Sequence, residues 1–211
     1  MKLLNLIGWP AYNSLKSIPS QDNLDKKLTE NEFKKKMSEK FSEYFSRKEL
    51  TICNKAYALK YGRIILECYI DENNKLYNQS FPEEIKYEIA AEMDLLIIKE
   101  GKKDEELYVF EHKRGLKELS EDVLTQIIRY LIIISSIKSD IPVIGEVYLG
   151  GTGKVVRVGA SIKKNGNYYL VLFKYGTKEY SDIIRLNKEF VEKVVYYPRK
   201  VSKTVIEEYI Y

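Results

Sequence analysis

The chain has 211 residues, of which 45% are hydrophobic and 31% charged, with a formal net charge of +4. That length fits one domain, or one domain with an appendage, and the apolar share is enough for a sizeable core. The near balance of charge allows a nucleic-acid partner without arguing for one, so any basic surface has to come from local clustering.

Two cysteines, Cys53 and Cys68, stand in no CxxC or Cys/His array, which argues against zinc and iron–sulfur sites and for a reduced, intracellular protein. The opening MKLLNLIGWPAY lacks a small-residue cleavage site and is a poor signal peptide. The most apolar run, Tyr130 to Ile137, is too short to span a bilayer, so no membrane association is expected.

Residues 1–24 read as irregular, with Gly8, Pro10 and Pro19. Thr29 and Glu32 form a capping-box pattern, followed by Phe33, Met37, Phe41, Tyr44 and Phe45 at helical spacing. The run KKKMSEK reads as the solvated face of that helix. A second helix is expected over Ile52 to Ile70, with Tyr57, Tyr61, Ile64, Ile65 and Cys68 as its apolar stripe and Gly62 inside it.

AEMDLLIIK and LYVFEHK, separated by a polar turn, then read as a hairpin of two central strands. SEDVLTQIIRYLIIISSI predicts a helix capped by Ser120 and apolar nearly all round, hence buried. IPVIGEVYLG predicts a strand, Gly150-Gly151-Thr152-Gly153 a turn, and KVVRVGASI a further strand. An Asn-Gly turn precedes the strand NYYLVLFKY, and NKEFVEKVVYY predicts a short helix. The order predicts an α/β fold, a mixed sheet with helices on both faces.

The chemistry gathers where the hairpin ends in charge. Alternation puts Glu111 and Lys113 on one side of their strand and His112 on the other. Asp94 interrupts the apolar run of the neighbouring strand, with Glu92 on the same face. Pairing of the two strands brings Asp94 and Glu111 together, and the repulsion of two such carboxylates is relieved by a divalent cation with oxygen ligands, Mg²⁺ or Mn²⁺. Lys113 can then orient a water or stabilise charge on a phosphate. The bland alternative is a strand-end salt bridge between Glu111 and Lys113, although an i,i+2 spacing is awkward for one and leaves Asp94 unexplained. Gln126 and Tyr130 stand one turn apart on the buried helix. Taken singly, they read equally as a locally satisfied polar group and a core aromatic.

The order Asp94…Glu111-x-Lys113…Gln126-x-x-x-Tyr130 resembles the PD-(D/E)XK nuclease superfamily. Within it the order is similar to the RecB-like branch, which includes CRISPR-associated and archaeal viral nucleases. The resemblance covers residues 57–160. It implies a restriction-endonuclease-like fold over one nuclease domain, 1–211, with an N-terminal helical elaboration (1–56), a catalytic core (57–160) and a C-terminal β/α extension (161–211). It implies Asp94, Glu111 and the His112 main-chain carbonyl as metal ligands, Lys113 acting on the nucleophile, and Gln126 and Tyr130 lining the site.

The resemblance also implies hydrolysis of DNA phosphodiester bonds by a metal-activated water, as an endonuclease or an exonuclease. Single-stranded DNA or DNA ends are the favoured substrate, and homo-oligomers occur among the relatives. YGRIILE resembles the first motif of the branch, but Leu66 stands where a histidine is expected. That leaves Glu67 either a further ligand or a surface charge. The four cysteines that hold an iron–sulfur cluster in many relatives are missing, so no cluster is expected.

Glu92 reads as supporting the ligands or facing solvent, and His112 as structural. Arg114 and Lys117 read equally as phosphate contacts or solvated charges, and the tyrosines of FKYGTKEY and YYPRK as sheet residues before stacking platforms. Two rivals remain: a catalytically inactive nucleic-acid-binding protein of the same fold, and a protein–protein adaptor using the tyrosine-rich tail.

Overall fold

The computed structural model describes residues 23–44, 50–60, 63–70, 76–77, 88–99, 105–137, 141–173 and 180–196. The expectations for residues 1–22 and for the tail beyond 196 lie outside the described residues, as do Gly62 and most of FKYGTKEY.

Local chemistry starts the first described helix, α1 (Glu30–Tyr44). The Thr29 N–H donates to Glu32 Oε2 at 2.7 Å, and the Glu32 N–H reaches back to Thr29 Oγ1 at 3.4 Å. This is the reciprocal cap the sequence predicts. Phe33, Met37 and Phe41 are fully buried on one face. The lysine run is only partly solvated: Lys34 is 7% exposed and pairs with Glu30 one turn earlier.

Among the described residues nine strands follow: β1 (Leu50–Lys60), β2 (Arg63–Ile70), β3 (Leu76–Tyr77), β4 (Glu88–Lys99), β5 (Glu106–Lys113), β6 (Val143–Leu149), β7 (Lys154–Lys164), β8 (Asn167–Phe173) and β9 (Tyr180–Leu186). Helix α2 (Glu121–Ile137) lies between β5 and β6, and α3 (Lys188–Tyr196) follows β9. The sheet order is β3-β2-β1-β4-β5-β6-β7-β8-β9. Only β5 and β6 run parallel, joined through α2; the other described neighbours are antiparallel. Parallel neighbours need such a crossover, which is why the longest of the described helices sits there.

The helix expected over Ile52 to Ile70 is instead the β1–β2 pair, in register from Cys53↔Ile70 to Lys60↔Arg63. Residues 50–56, expected in a helical elaboration, therefore belong to the sheet. The stripe that suggested a helix contains Tyr57, Ile64 and Ile65, aromatic and β-branched residues that fit a pleated surface well. Pairing of β1 with β4 over Leu50↔Lys99 to Leu59↔Glu88 supplies the long-range partner that overrides local period. The other expected elements form. Asn165 and Gly166 both take positive φ (50° and 76°), as a two-residue hairpin turn requires.

The central strands are apolar on both faces because both are covered. Toward α1, Leu95, Ile97, Tyr108, Phe110, Ile144 and Tyr148 pack with Phe33, Met37 and Phe41. Toward α2 and α3, Leu96, Val109, Val143 and Val147 pack with Ile127, Leu131 and Phe190. The α1-side layer also holds an ion pair that local pattern does not reveal. Arg157 donates from Nε and Nη2 to Glu146 Oε1 at 3.0 and 2.7 Å, with Glu146 fully buried.

Two glycines set how closely α2 approaches. Gly145 and Gly159 are register partners on β6 and β7. A Cβ on Gly145 would lie 2.6 Å from Ile127 Cγ2 and 3.2 Å from Leu131 Cδ2. Two serines pin the helix at the same level: Ser161 Oγ donates to the Leu131 carbonyl at 2.8 Å and lies 2.5 Å from Ser135 Oγ. Gly145→Ala is therefore expected to cost about 1–3 kcal/mol through overpacking, read as a lower urea midpoint. An unchanged midpoint would show that α2 lifts off the sheet without resistance. None of the described helices is long and apolar enough to cross a membrane.

Candidate functional site

The site forms where the β4–β5 hairpin comes apart. The ladder runs from Lys99↔Glu106 to Leu95↔Phe110 and goes no further. On its other edge β4 pairs Met93 with Lys55 and Leu96 with Cys53, so Asp94 and Leu95 together oppose Asn54. This is a β-bulge, a device that re-aims a side chain and ends regular pairing. The Asp94 carboxylate takes over from the ladder, with Oδ2 accepting the His112 N–H at 2.6 Å. Strand β5 stays paired through this point, in unbroken register with β6 as far as Lys113↔Leu149.

Alternation along β5 then sorts the side chains. His112 turns toward α1, where its ring stacks on Tyr148 (centroids 5.2 Å apart, 16° between planes) and lies 5.6 Å from Phe33. Its Nε2 is 2.7 Å from the Leu28 carbonyl, which can only accept, so that nitrogen carries the proton. The histidine is a packing residue, as expected.

Glu111 and Lys113 turn toward α2. Glu111 Oε1 accepts from Lys113 Nζ at 2.5 Å and from Gln126 Nε2 at 3.0 Å. The second amide hydrogen of Gln126 goes to the Tyr130 hydroxyl at 2.6 Å. One turn of α2 thus sets Gln126 against the carboxylate and Tyr130 against Gln126. The i,i+2 ion pair does form, despite its awkward spacing.

Glu111 is only 4% exposed, and its other oxygen, Oε2, is buried without a partner. Leaving a carboxylate oxygen so costs free energy unless something completes it. The Lys113 side chain keeps 26% of its exposure, so the cluster reaches solvent there. Burial first, and then the Asp94 charge, pushes the Glu111 carboxyl up to about 7 against the opposing pull of Lys113 and Gln126. Burial also raises Asp94, partly offset by the His112 N–H. Tyr130 is raised by burial and by the Glu111 charge, which keeps its phenol protonated.

Asp94, Glu111, Lys113, Gln126 and Tyr130, drawn from three elements, are therefore brought together. Glu67 is not placed with them on a helix: it lies on β2, opposite Ala56, which itself opposes Glu92 of β4. Strand β1 stands between, and the side chains of Glu67 and Glu92 lie outside the described residues. Among the described residues, no group of three or more His, Cys, Asp and Glu side chains converges.

Sequence reasoning missed Glu30 and Lys34 of α1, whose charges act on Asp94 in opposite directions. Their i,i+4 spacing was legible, but their position over the hairpin depends on where α1 docks. The chain matches no protein-family model, no curated protein and no solved structure.

Proposed function

We propose that the chain is a metal-dependent DNA nuclease of the restriction-endonuclease-like type, within the PD-(D/E)XK superfamily. The observation that carries this reading is the Glu111 carboxylate. It is buried and fixed through Oε1 by Lys113 and Gln126, and its Oε2 has no partner beside the Asp94 charge. The path from hairpin β4–β5 through α2 to the parallel strand β6 supports the same assignment of fold.

The donor set fits a hard divalent cation: two carboxylates that repel each other, one with an orphaned oxygen. Asp94, Glu111 and the His112 main-chain carbonyl would hold it. Mg²⁺ or Mn²⁺ bound there supplies Lewis acidity toward the phosphate and lowers the pKa of water.

The chain's own residues do the rest. Gln126, itself braced by Tyr130, fixes Oε1 so that Glu111 presents Oε2 in one orientation. Lys113, at the solvent-facing edge, offers an ammonium to a phosphate oxygen where negative charge grows during attack. Asp94 is anchored through Oδ2 to the β5 main chain, so it cannot drift from Glu111 when the cation binds. Single-stranded DNA or DNA ends remain the proposed substrate.

The test is cleavage of labelled linear and circular DNA, single- and double-stranded, with Mg²⁺, Mn²⁺ or EDTA. Cleavage that needs the cation is expected; none on any of the four substrates would remove the nuclease reading. One observation favours a second reading, a nucleic-acid-binding protein without chemistry. Lys113 already neutralises Glu111 at 2.5 Å, and only two acids meet among the described residues. Binding without cleavage in the same assay would select it.

A further inference from the structure

The turn LGGTGK looks at first like a phosphate-cradling glycine loop, but its glycines are spent on packing. A Cβ on Gly150 would lie 2.2 Å from the Arg114 carbonyl oxygen, and one on Gly151 2.7 Å from that of Leu116. Gly153, at φ 78°, has the Leu24 carbonyl oxygen 2.2 Å from where a Cβ would sit. These close approaches knit three separate segments together beside the candidate site.

Gly150 N–H donates to the Lys113 carbonyl at 2.9 Å and Gly151 N–H to that of Leu116 at 2.8 Å. From the N-terminal segment, Leu24 N–H donates to Gly153 O at 2.6 Å and Lys27 N–H to Gly150 O at 2.8 Å. Arg114 Nε closes the ring by donating to the Lys27 carbonyl at 3.2 Å. Lys27 holds a positive φ of 60° to make both of its bonds, a conformation kept only where the surroundings demand it.

The charge on this knot is not average. Residues 23–29, 114–118 and 150–154 carry Lys26, Lys27, Arg114, Lys117 and Lys154 against Asp25 and Glu118, three of the chain's four net positive charges in 17 of its 211 residues. All five basic side chains are exposed. Two of the acids at or beside the rim are engaged: Asp25 pairs with Lys36, and Glu32 caps α1 through Thr29. The knot also begins at the residue after Lys113, at the end of β5 that carries Glu111.

We infer that this three-segment rim is the track for the sugar–phosphate backbone of a nucleic-acid strand at the site. The inference rests on the nuclease reading for its direction but not for its test. Among the described residues, the rim gathers five exposed basic side chains from three segments, so a polyanion laid along it gains from them jointly. The glycine-packed main chain holds the backbone of these basic residues in fixed relative positions, so little backbone order is lost on binding.

The experiment measures binding of a fluorescent single-stranded oligonucleotide by anisotropy in EDTA across a salt series, with no cleavage required. The rim variant replaces Lys26, Lys27, Lys117 and Lys154 with glutamine. A control replaces Lys35, Lys164, Lys188 and Lys193, removing the same charge elsewhere. The rim variant is expected to bind at least about tenfold more weakly, and the slope of log K against log salt to shrink by up to about 3, at roughly 0.7 per single-strand phosphate contact. The control should stay near wild type, and a Lys→Arg version of the rim should restore binding and exclude misfolding.

Equal weakening by rim and control would overturn the inference, as would wild-type chain that binds phosphatidylserine vesicles but no oligonucleotide. Rim-dependent binding in a chain that cuts nothing with Mn²⁺ would leave the track standing and remove the nuclease reading alone.

Discussion

Lys113→Ala, Asp94→Ala and Glu111→Gln are each expected to lower Mn²⁺-dependent cleavage by about a thousand-fold or more, equivalent to roughly 4 kcal/mol of transition-state stabilisation. The three act through different atoms. Lys113 loses the ammonium at the exposed edge of the cluster; Asp94 loses the carboxylate that also caps the His112 N–H. Glu111→Gln keeps the shape and an acceptor for Lys113 and Gln126, but removes the charge and replaces the orphaned oxygen.

Gln126→Ala should be milder, about 10–100-fold, because Glu111 then loses one of its two restraints but keeps its charge. Circular dichroism should report folded protein in every case. Any of the three main variants retaining more than about a tenth of wild-type cleavage would sink the assignment of roles.

The second large effect is on stability in the absence of metal, and its sign is unusual for an acidic residue. The Glu111 carboxyl titrates near 4.5 when unfolded and is pushed up to about 7 by burial and by Asp94 when folded. Below about pH 4.5 both states are protonated, and the group is neutral toward stability. Between 4.5 and 7 the unfolded chain ionises while the folded one still holds its proton, so stability falls as pH rises. Above 7 the loss levels off, on the order of 3 kcal/mol.

Asp94, raised in the same direction, adds to the fall. Denaturation in EDTA from pH 5 to 8 should therefore show a declining midpoint in wild type and a flatter profile in Glu111→Gln. At pH 8 the variant without activity should be the more stable protein. Adding Mn²⁺ at pH 8 should raise the wild-type midpoint more than that of Glu111→Gln, since binding to the folded state alone stabilises it. Parallel profiles for the two proteins would show that Glu111 does not carry the penalty.

Several features were legible because they depend on a few neighbouring residues. The Thr29–Glu32 cap, the Asn165-Gly166 turn, the Ser120 cap of α2 and the apolar runs of β4 and β5 are set by local hydrogen bonding and by period. The alternation of Glu111, His112 and Lys113 is equally local: once β5 is a strand, the imidazole and the carboxylate must part. The one-turn spacing of Gln126 and Tyr130 likewise fixed a shared helix face. So the sequence by itself determined the α/β class, the residues at issue and the faces on which they stand.

Long-range partners decided the rest. Residues 50–70 satisfy a helical stripe about as well as a strand pattern, and only pairing of β1 with β4 makes them strands. The Asp94 bulge appears nowhere in the run AEMDLLIIK; it arises from the mismatch between two registers on either edge of β4. The depth at which α2 lies, set by Gly145 opposite Gly159, brings Gln126 within reach of Glu111. Lys34 is buried because α1 docks across the hairpin, and Lys26, Lys27, Arg114, Lys117 and Lys154 share one rim because three distant segments cross there. Local pattern fixes which way a side chain points. How near it comes to another is a matter of register, bulge and helix docking, all of which are settled by burial summed over the whole fold.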